Sequence, residues 1–275
     1  MLNNASYILF YHRITPENLK IFQWQLQFLK ERKNISTIYE MENLTPNSVI
    51  ITFDDGFFDN FVYAYPLLKK YNIPAAIFLS TAYIRETGVR KTLQDYWDNN
   101  VSFNELQQVK PYDFGKIRNN EEFLTWREIS VMHKSGLINF ESHGHEHLRH
   151  NIEREKKVSH FKGVRYYEKE NRYESLKERE ERLMVQFLKP KELIKYYLNY
   201  TSEHFCWQWG EYDDFALNLG KSLGFKYFYT TEKGTINDNF YKINRISASF
   251  KKSTFFKRNL IFSSKMLSKK YLKIF

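Results

Sequence analysis

The sequence predicts an α/β protein built on a mainly parallel sheet, open or closed into a barrel. Three observations carry that expectation. Short apolar runs rich in β-branched residues alternate with stretches of helical spacing, the pattern of βαβ units. Three of those runs stop at chemistry-bearing residues, namely His12, Asp54-Asp55 and the cluster His143-Gly144-His145-Glu146-His147. Parallel α/β folds gather their ligands at such strand ends. The composition is 42% hydrophobic, 27% charged and 18% aromatic over 275 residues, enough to bury a large core. So large an aromatic supply argues against disorder, and 10 Gly with 6 Pro exclude collagen-like and low-complexity chains. The single cysteine, Cys206, cannot close an internal disulfide; this excludes a disulfide scaffold and fits a reducing compartment.

From the N-terminus, Ser6 to Tyr11 reads as a short buried strand ending at His12. Thr15-Pro16-Glu17 starts a helix with proline at its first position, and Leu19, Phe22, Leu26 and Leu29 give it one apolar face. Ser48 to Phe53 is β-branched and too short for a helix; this second strand runs into Asp54-Asp55-Gly56. A helix is expected near 59–71 and a third strand from Pro74 to Ser80. Residues 82–122 are polar and irregular, an insertion rather than a core element. Thr125 with Glu128 forms a capping box that opens a helix ended by Gly136. Leu137 to Ser142 is a strand entering the histidine cluster. Residues 152–200 are dense in charge and read as helical with one apolar seam. Phe205 to Trp209 and Tyr227 to Thr231 read as two further strands, with a helix near 213–222 between them. No internal repeat is evident.

The net charge of +10 is concentrated at one end. Residues 251–275 hold Lys251, Lys252, Lys257, Arg258, Lys265, Lys269, Lys270 and Lys273 and no acid, interleaved with Phe255, Phe256, Leu260, Ile261, Phe262 and further apolar residues. Such an amphipathic tail suits peripheral contact with an anionic membrane or with phosphate groups. The plainer expectation is a terminal helix that packs its apolar face on the domain and leaves the lysines in solvent. No motif supports nucleic-acid binding. The opening residues lack a basic n-region and an apolar h-region, and no run is long enough to span a bilayer, so the sequence reads as cytoplasmic.

Adjacent carboxylates repel, so a pair such as Asp54-Asp55 persists where a cation or a proton sits between them. A His-x-x-x-His spacing, His143 to His147, lets two imidazoles reach one ion. Carboxylate with imidazole suits zinc or another borderline divalent metal. One Asp with two His leaves coordination positions open for water and substrate, as in catalytic sites. Singly, each feature is ordinary: Asp-Asp-Gly after a strand is usually a turn, and a His-rich loop is usually surface. Their coincidence at three strand ends points to a metal-dependent site.

Thr52-Phe53-Asp54-Asp55-Gly56 is similar to the first signature of the NodB-homology polysaccharide deacetylases (carbohydrate esterase family 4), and Ser142-His143-Gly144-His145-Glu146-His147 to their second. The opening Leu9-Phe10-Tyr11-His12-Arg13-Ile14 resembles the N-terminal Tyr-His signature of a branch that includes poly-N-acetylglucosamine deacetylases. Phe205-Cys206-Trp207-Gln208-Trp209-Gly210-Glu211-Tyr212 looks like a drifted aromatic-Pro-aromatic-Gly segment; Leu124-Thr125-Trp126 and Asn244-Arg245-Ile246 also have counterparts. The resemblance covers about 7–250.

That resemblance implies a distorted (β/α)7-type barrel holding one divalent metal, most simply zinc, on Asp55, His143 and His147. It makes Asp54 the general base for water, a backbone N–H of the 207–210 loop the oxyanion donor, and His12 the acid that protonates the leaving amine. Two departures stand out: Cys206 occupies the position of an Arg that usually pairs with the catalytic Asp, and Gln208 that of the usual Pro. Arg245 is the candidate to supply the missing guanidinium. Trp126, Trp207 and Trp209 are candidates for a sugar-stacking wall, although core packing is an equal alternative, and His145 for a substrate-side role. The implied organisation is one catalytic domain over 1–250, with insertions near 82–122 and 148–200, followed by the basic tail 251–275. The implied function is removal of an N-acetyl or other N-acyl group from an amino sugar, in an oligosaccharide or a lipid- or nucleotide-linked glycan of the cell envelope. The alternatives are an amidohydrolase on a non-sugar amide and a catalytically inactive carbohydrate-binding homologue.

Overall fold

The computed structural model describes residues 5–109, 120–153, 156–264, 267, 268 and 270. The expected insertion at 82–122 and the basic tail therefore lie partly outside the described residues. In chain order the strands are β1 (Tyr7–Tyr11), β2 (Asn34–Ser36), β3 (Ser48–Phe53), β4 (Ala75–Leu79), β5 (Ile138–Ser142), β6 (Arg149–Glu153), β7 (Lys156–Ser159), β8 (Tyr166–Tyr167), β9 (Arg172–Tyr173), β10 (His204–Cys206), β11 (Tyr227–Tyr229) and β12 (Ile246–Ser247). The helices are α1 (Leu19–Arg32), α2 (Tyr65–Tyr71), α3 (Leu93–Trp97), α4 (Trp126–Lys134), α5 (Leu176–Leu198), α6 (Asp214–Ser222) and α7 (Lys252–Phe262).

The main sheet runs in the order β11-β10-β5-β4-β3-β1-β12, with β2 also paired to β3, and every pairing in it is parallel. It curls into the half-barrel expected of the distorted (β/α) class. The segment that hydrogen-bonds β11 through Phe240 and Ile243 leads straight into β12 on the opposite edge. The registers Tyr11↔Phe53, Phe53↔Ile77 and Leu79↔Ser142 bring the carboxyl ends of β1, β3, β4 and β5 level. His12, Asp54 and His143 therefore emerge on one rim.

Strands β1, β3, β4 and β10 are fully buried because the sheet has a core on each face. Ile8, Ile50, Ala76, Phe78, Cys206 and Tyr229 fill the concave interior. Phe22, Leu26 and Leu29 of α1, with Ile129 and Met132 of α4, pack on the outside. A third cluster, with Phe161, Phe187, Phe205, Trp207 and Phe228, closes the β10–β11 side. The capping box of α4 forms as read: Thr125 N–H donates to Glu128 Oε2 at 3.0 Å and Glu128 N–H to Thr125 Oγ1 at 3.1 Å.

Three local readings are corrected. The first part of 152–200 is not helical: β6–β7 and β8–β9 are hairpins, and the helix begins only at Leu176, after the Ser175 cap. Asn171 and Gly163, both at positive φ, are the turn formers that the charge-dense pattern concealed. The strand expected over 205–209 ends at Cys206, because Trp209 and Gly210 are consecutive left-handed residues that turn the chain. The helix expected near 59–71 opens as a π-helical turn over Asn60–Ala64 before α2.

The basic C-terminal stretch begins as α7, which docks on the domain. Phe255 and Phe262 are buried, and the Phe255 ring meets Trp24 at 5.9 Å and Phe28 at 6.0 Å. Buried Asn259 accepts a hydrogen bond from the Tyr7 hydroxyl. The opposite face of α7 leaves Phe256 and Leu260 exposed. Among the described residues no helix is long and apolar enough to cross a membrane.

Candidate functional site

The turn after β3 sets the first pair of carboxylates. Asp54 N–H donates to the Tyr11 carbonyl at 3.0 Å, which ties that turn to the end of β1. Asp55 sits at φ 76 and Gly56 at φ 80. A non-glycine residue in that region is strained, and such strain is typical of side chains aimed for function. A Cβ at Gly56 would lie 2.8 Å from Leu79 Cδ2, and φ 80 disfavours an L side chain there, so the turn favours glycine.

Asp55 turns towards the cluster that follows β5. Its Oδ1 lies 3.3 Å from Nε2 of His143 and 3.3 Å from Nε2 of His147. All three residues are buried, and one ligand atom from each lies within 4.8 Å of the others. His143 Nδ1 is 2.8 Å from the Cys206 carbonyl; donating there leaves its Nε2 lone pair directed at Asp55. Asp55 Oδ1 is buried, 3.3 Å from an imidazole nitrogen of His143 and 3.3 Å from one of His147. A buried carboxylate oxygen set against two imidazole nitrogens is the donor set of a divalent-metal site. The residues present fit the ion that the sequence implied. Burial pushes His147 down to about 4, so its ring is neutral and able to ligate.

Asp54 turns the other way, into the barrel. Arg245, fully buried just before β12, donates from Nη1 to Asp54 Oδ1 at 2.7 Å and from Nη2 to Oδ2 at 2.8 Å. The guanidinium is fixed further by Nε donating to the Thr230 carbonyl at 3.0 Å, by Nη2 against Cys206 Sγ at 2.9 Å and by the Phe10 ring 4.6 Å away. Burial pushes the Asp54 carboxyl up, but the charge and hydrogen bonds of Arg245 outweigh it, and the pKa lies below the ordinary carboxylate value. Burial raises the Cys206 thiol, so it stays a neutral contact for the guanidinium.

The remaining candidates divide. His12 is exposed at the rim, near enough for its charge to act on Asp54, Asp55 and His147. Its carbonyl accepts from Asn60 Nδ2 at 3.0 Å, and Arg13 beside it is paired with Asp59 at 2.8 Å. Sequence spacing gave no sign of that clamp. Trp209 is 37% exposed, with its ring 4.0 Å from that of His147. Trp126 and Trp207, read as part of the same sugar-facing wall, are instead core residues. Trp126 at the start of α4 is stacked on Tyr197 at 4.3 Å and Trp207, just past β10, on Tyr212 at 4.6 Å, and both are buried. His145 faces away from its two neighbours, with Nδ1 3.0 Å from Thr81 Oγ1.

The polysaccharide deacetylase family model matches residues 42–228. The poly-beta-1,6-N-acetyl-D-glucosamine N-deacetylase of Staphylococcus aureus (strain MRSA252) is 26% identical over 278 residues, covering 90% of this chain and 79% of that protein. The protein of the same description from Escherichia coli (strain K12) is 24% identical over 198 residues; the match takes in 70% of this chain but spans only 26% of the relative's length. A solved de-N-acetylase from Aggregatibacter actinomycetemcomitans shares the fold, with TM-score 0.76 at 19% identity over 93% of this chain and 100% of that one.

Proposed function

The chain belongs to the polysaccharide deacetylase family, and from that premise we propose that it hydrolyses N-acetyl groups from an amino-sugar polymer of the poly-β-1,6-N-acetylglucosamine kind. The observation that carries the reading is the split between two adjacent carboxylates. Asp55 lies against His143 and His147, while Asp54 is gripped at both oxygens by Arg245. One sequence element thus supplies a metal ligand and a separate, ionised base.

In this reading Asp55, His143 and His147 hold one divalent ion, most simply zinc. When bound, the ion supplies a Lewis acid that polarises an amide carbonyl and lowers the pKa of water. Asp54, kept anionic and oriented by Arg245, takes the proton of the attacking water. A backbone N–H of the 207–210 loop serves the oxyanion. His12, on the rim and held by Asn60 through its carbonyl, delivers the proton to the nitrogen as the C–N bond breaks. Trp209 offers its open ring face to the sugar beside the cleaved acetamide. On the flank, exposed Phe256 and Leu260 with Lys252 and Lys257 form a face suited to an anionic surface.

The test is metal content and acetate release, from β-1,6-linked N-acetylglucosamine oligomers, chitooligosaccharides and a UDP-N-acetyl sugar, for the wild type and His143→Ala. One bound divalent ion, lost in the variant together with acetate release, is the expected result. Metal-loaded protein that releases acetate from none of these substrates would overturn the substrate reading, and absence of metal from both proteins would overturn the chemistry.

A further inference from the structure

Two buried glutamines grip the turn between the histidines, and neither belongs to the site read from the sequence. Gln208, fully buried in the turn after β10, donates from Nε2 to the His143 carbonyl at 2.7 Å and to the Glu146 carbonyl at 3.0 Å. Gln186, buried on α5, accepts at Oε1 from the N–H of His145 at 3.2 Å and of Glu146 at 2.8 Å. One amide satisfies the carbonyls of the turn and the other its N–H groups. Two carbonyl oxygens around one amide end require the NH2 there, which fixes the orientation of Gln208. The fit is close: Gly144 lies at φ 90, and a Cβ on it would stand 2.8 Å from Gln208 Nε2.

Other anchors reach the turn as well: Gly144 N–H donates to Ser142 Oγ at 3.3 Å, and His145 Nδ1 lies 3.0 Å from Thr81 Oγ1. His143 N–H donates to the Leu79 carbonyl at 2.9 Å, and the Gly144 and His145 carbonyls accept from Thr81 and Ala82 at 3.3 and 2.9 Å. These bonds attach the near end of the turn to β4. The carbonyl and N–H of Glu146, the residue preceding His147, are held by the two glutamines. Gln208 thus ties the backbone at His143 to that of Glu146, the residue before His147, and Gln186 holds the Glu146 N–H.

We infer that Gln208, with Gln186 as its counterpart, is a positioning residue that sets the spacing of the His143 and His147 imidazoles and thereby the affinity for the divalent ion. This rests on the metal-site reading above. The chemistry is asymmetric. Gln208→Glu replaces a double donor by a carboxylate facing two carbonyls, whereas Gln186→Glu keeps an acceptor for both N–H groups. Gln208→Met removes the donors at similar volume.

The experiment strips the proteins with chelator and measures Zn2+ affinity by competition with a chromophoric chelator. It adds the visible absorption of the Co2+-substituted proteins and the Tm of the metal-free forms. Residues that orient ligands typically change metal affinity by about 10- to 100-fold when removed. Gln208→Met and Gln208→Glu are expected to lose Zn2+ affinity in that range with a displaced Co2+ band, and Gln186→Glu to stay near wild type in both. A lowered metal-free Tm with unchanged affinity and Co2+ band would make Gln208 a merely structural residue and overturn the inference. A wild type that binds neither ion would instead refute the metal site itself.

Discussion

Arg245→Met is the sharpest perturbation of the buried wall. The guanidinium is fully buried and Asp54 is 2% exposed, and the two share a pair of bonds of 2.7 and 2.8 Å. Methionine keeps much of the volume but leaves a carboxylate in the barrel without its cation. Breaking one side of a buried ion pair costs about 3–5 kcal/mol. For a chain of this size that is a fall in Tm on the order of 10 °C. Removing the second charge as well, in Arg245→Met/Asp54→Asn, relieves the stranded carboxylate, since a buried pair replaced on both sides is often near neutral. The double variant is therefore expected to melt several degrees above Arg245→Met, and the double-mutant cycle gives the coupling directly. Arg245→Lys keeps the charge but not the two-pronged geometry, so it should retain most of the stability and lose kcat. The assay is thermal unfolding of metal-free protein beside acetate release. A single variant that melts with the wild type, or a double variant no more stable than Arg245→Met, would refute the assignment of Arg245 as the counter-ion of Asp54.

Other outcomes follow from the same geometry. Burial pushes His204 down to about 3 and His150 to about 4, below the usual histidine value near 6.5. A depressed folded-state pKa means that the unfolded chain binds more protons, so this stability is present above about 6.5 and is lost as pH falls towards the folded values. The Tm should drop between pH 7.5 and pH 5, and less steeply in His204→Phe; equal slopes would exclude His204 as a contributor. Trp209→Ala should raise KM for the polymer with little change in Tm, whereas Trp207→Ala, in the core, should cost about 3–5 kcal/mol in chemical denaturation. An unchanged KM in the first would remove Trp209 from the substrate surface. Deleting 251–275 strips Phe255 and Phe262 from the core and should lower the Tm. Phe256→Ser/Leu260→Ser should instead preserve the Tm and abolish sedimentation with phosphatidylglycerol vesicles; full sedimentation by this variant would end the membrane role of α7.

The parts legible in the sequence were local patterns with a physical use, such as the β-branched run of β3 and the Thr125–Glu128 box. The Asp-Asp and His-x-x-x-His pairs, ordinary singly, were legible through their coincidence at strand ends. Arg245 could be suspected only because Cys206 stood where a guanidinium was wanted. The hairpins at β6–β9 were hidden because Gly163 and Asn171 are single turn residues inside a charged stretch that also suits a helix. The tryptophans stayed open between core and sugar face for a related reason: Trp126, Trp207 and Trp209 are chemically alike. What separates them is the left-handed backbone at 209 that turns one ring outward. The two glutamine amides act on backbone groups from distant elements, which leaves no local pattern to read.

The sheet edge at β12 also has a consequence for synthesis. Arg245 lies 191 residues after the aspartate it neutralises, and its strand is only two residues long, Ile246–Ser247, laid beside β1. At a translation rate of roughly 5–20 residues per second, a ribosome needs on the order of tens of seconds to travel from one to the other. During that interval β1, β3, β4 and β5 can pair, but closing the barrel around Asp54 would strand a bare carboxylate. The nascent chain should therefore keep that corner hydrated until β12 arrives, so that closure of the interior and pairing of Asp54 with Arg245 are one late event. Shortening the chain before residue 245 would yield a protein with its histidines and an Asp54 that has no Arg245 to pair with.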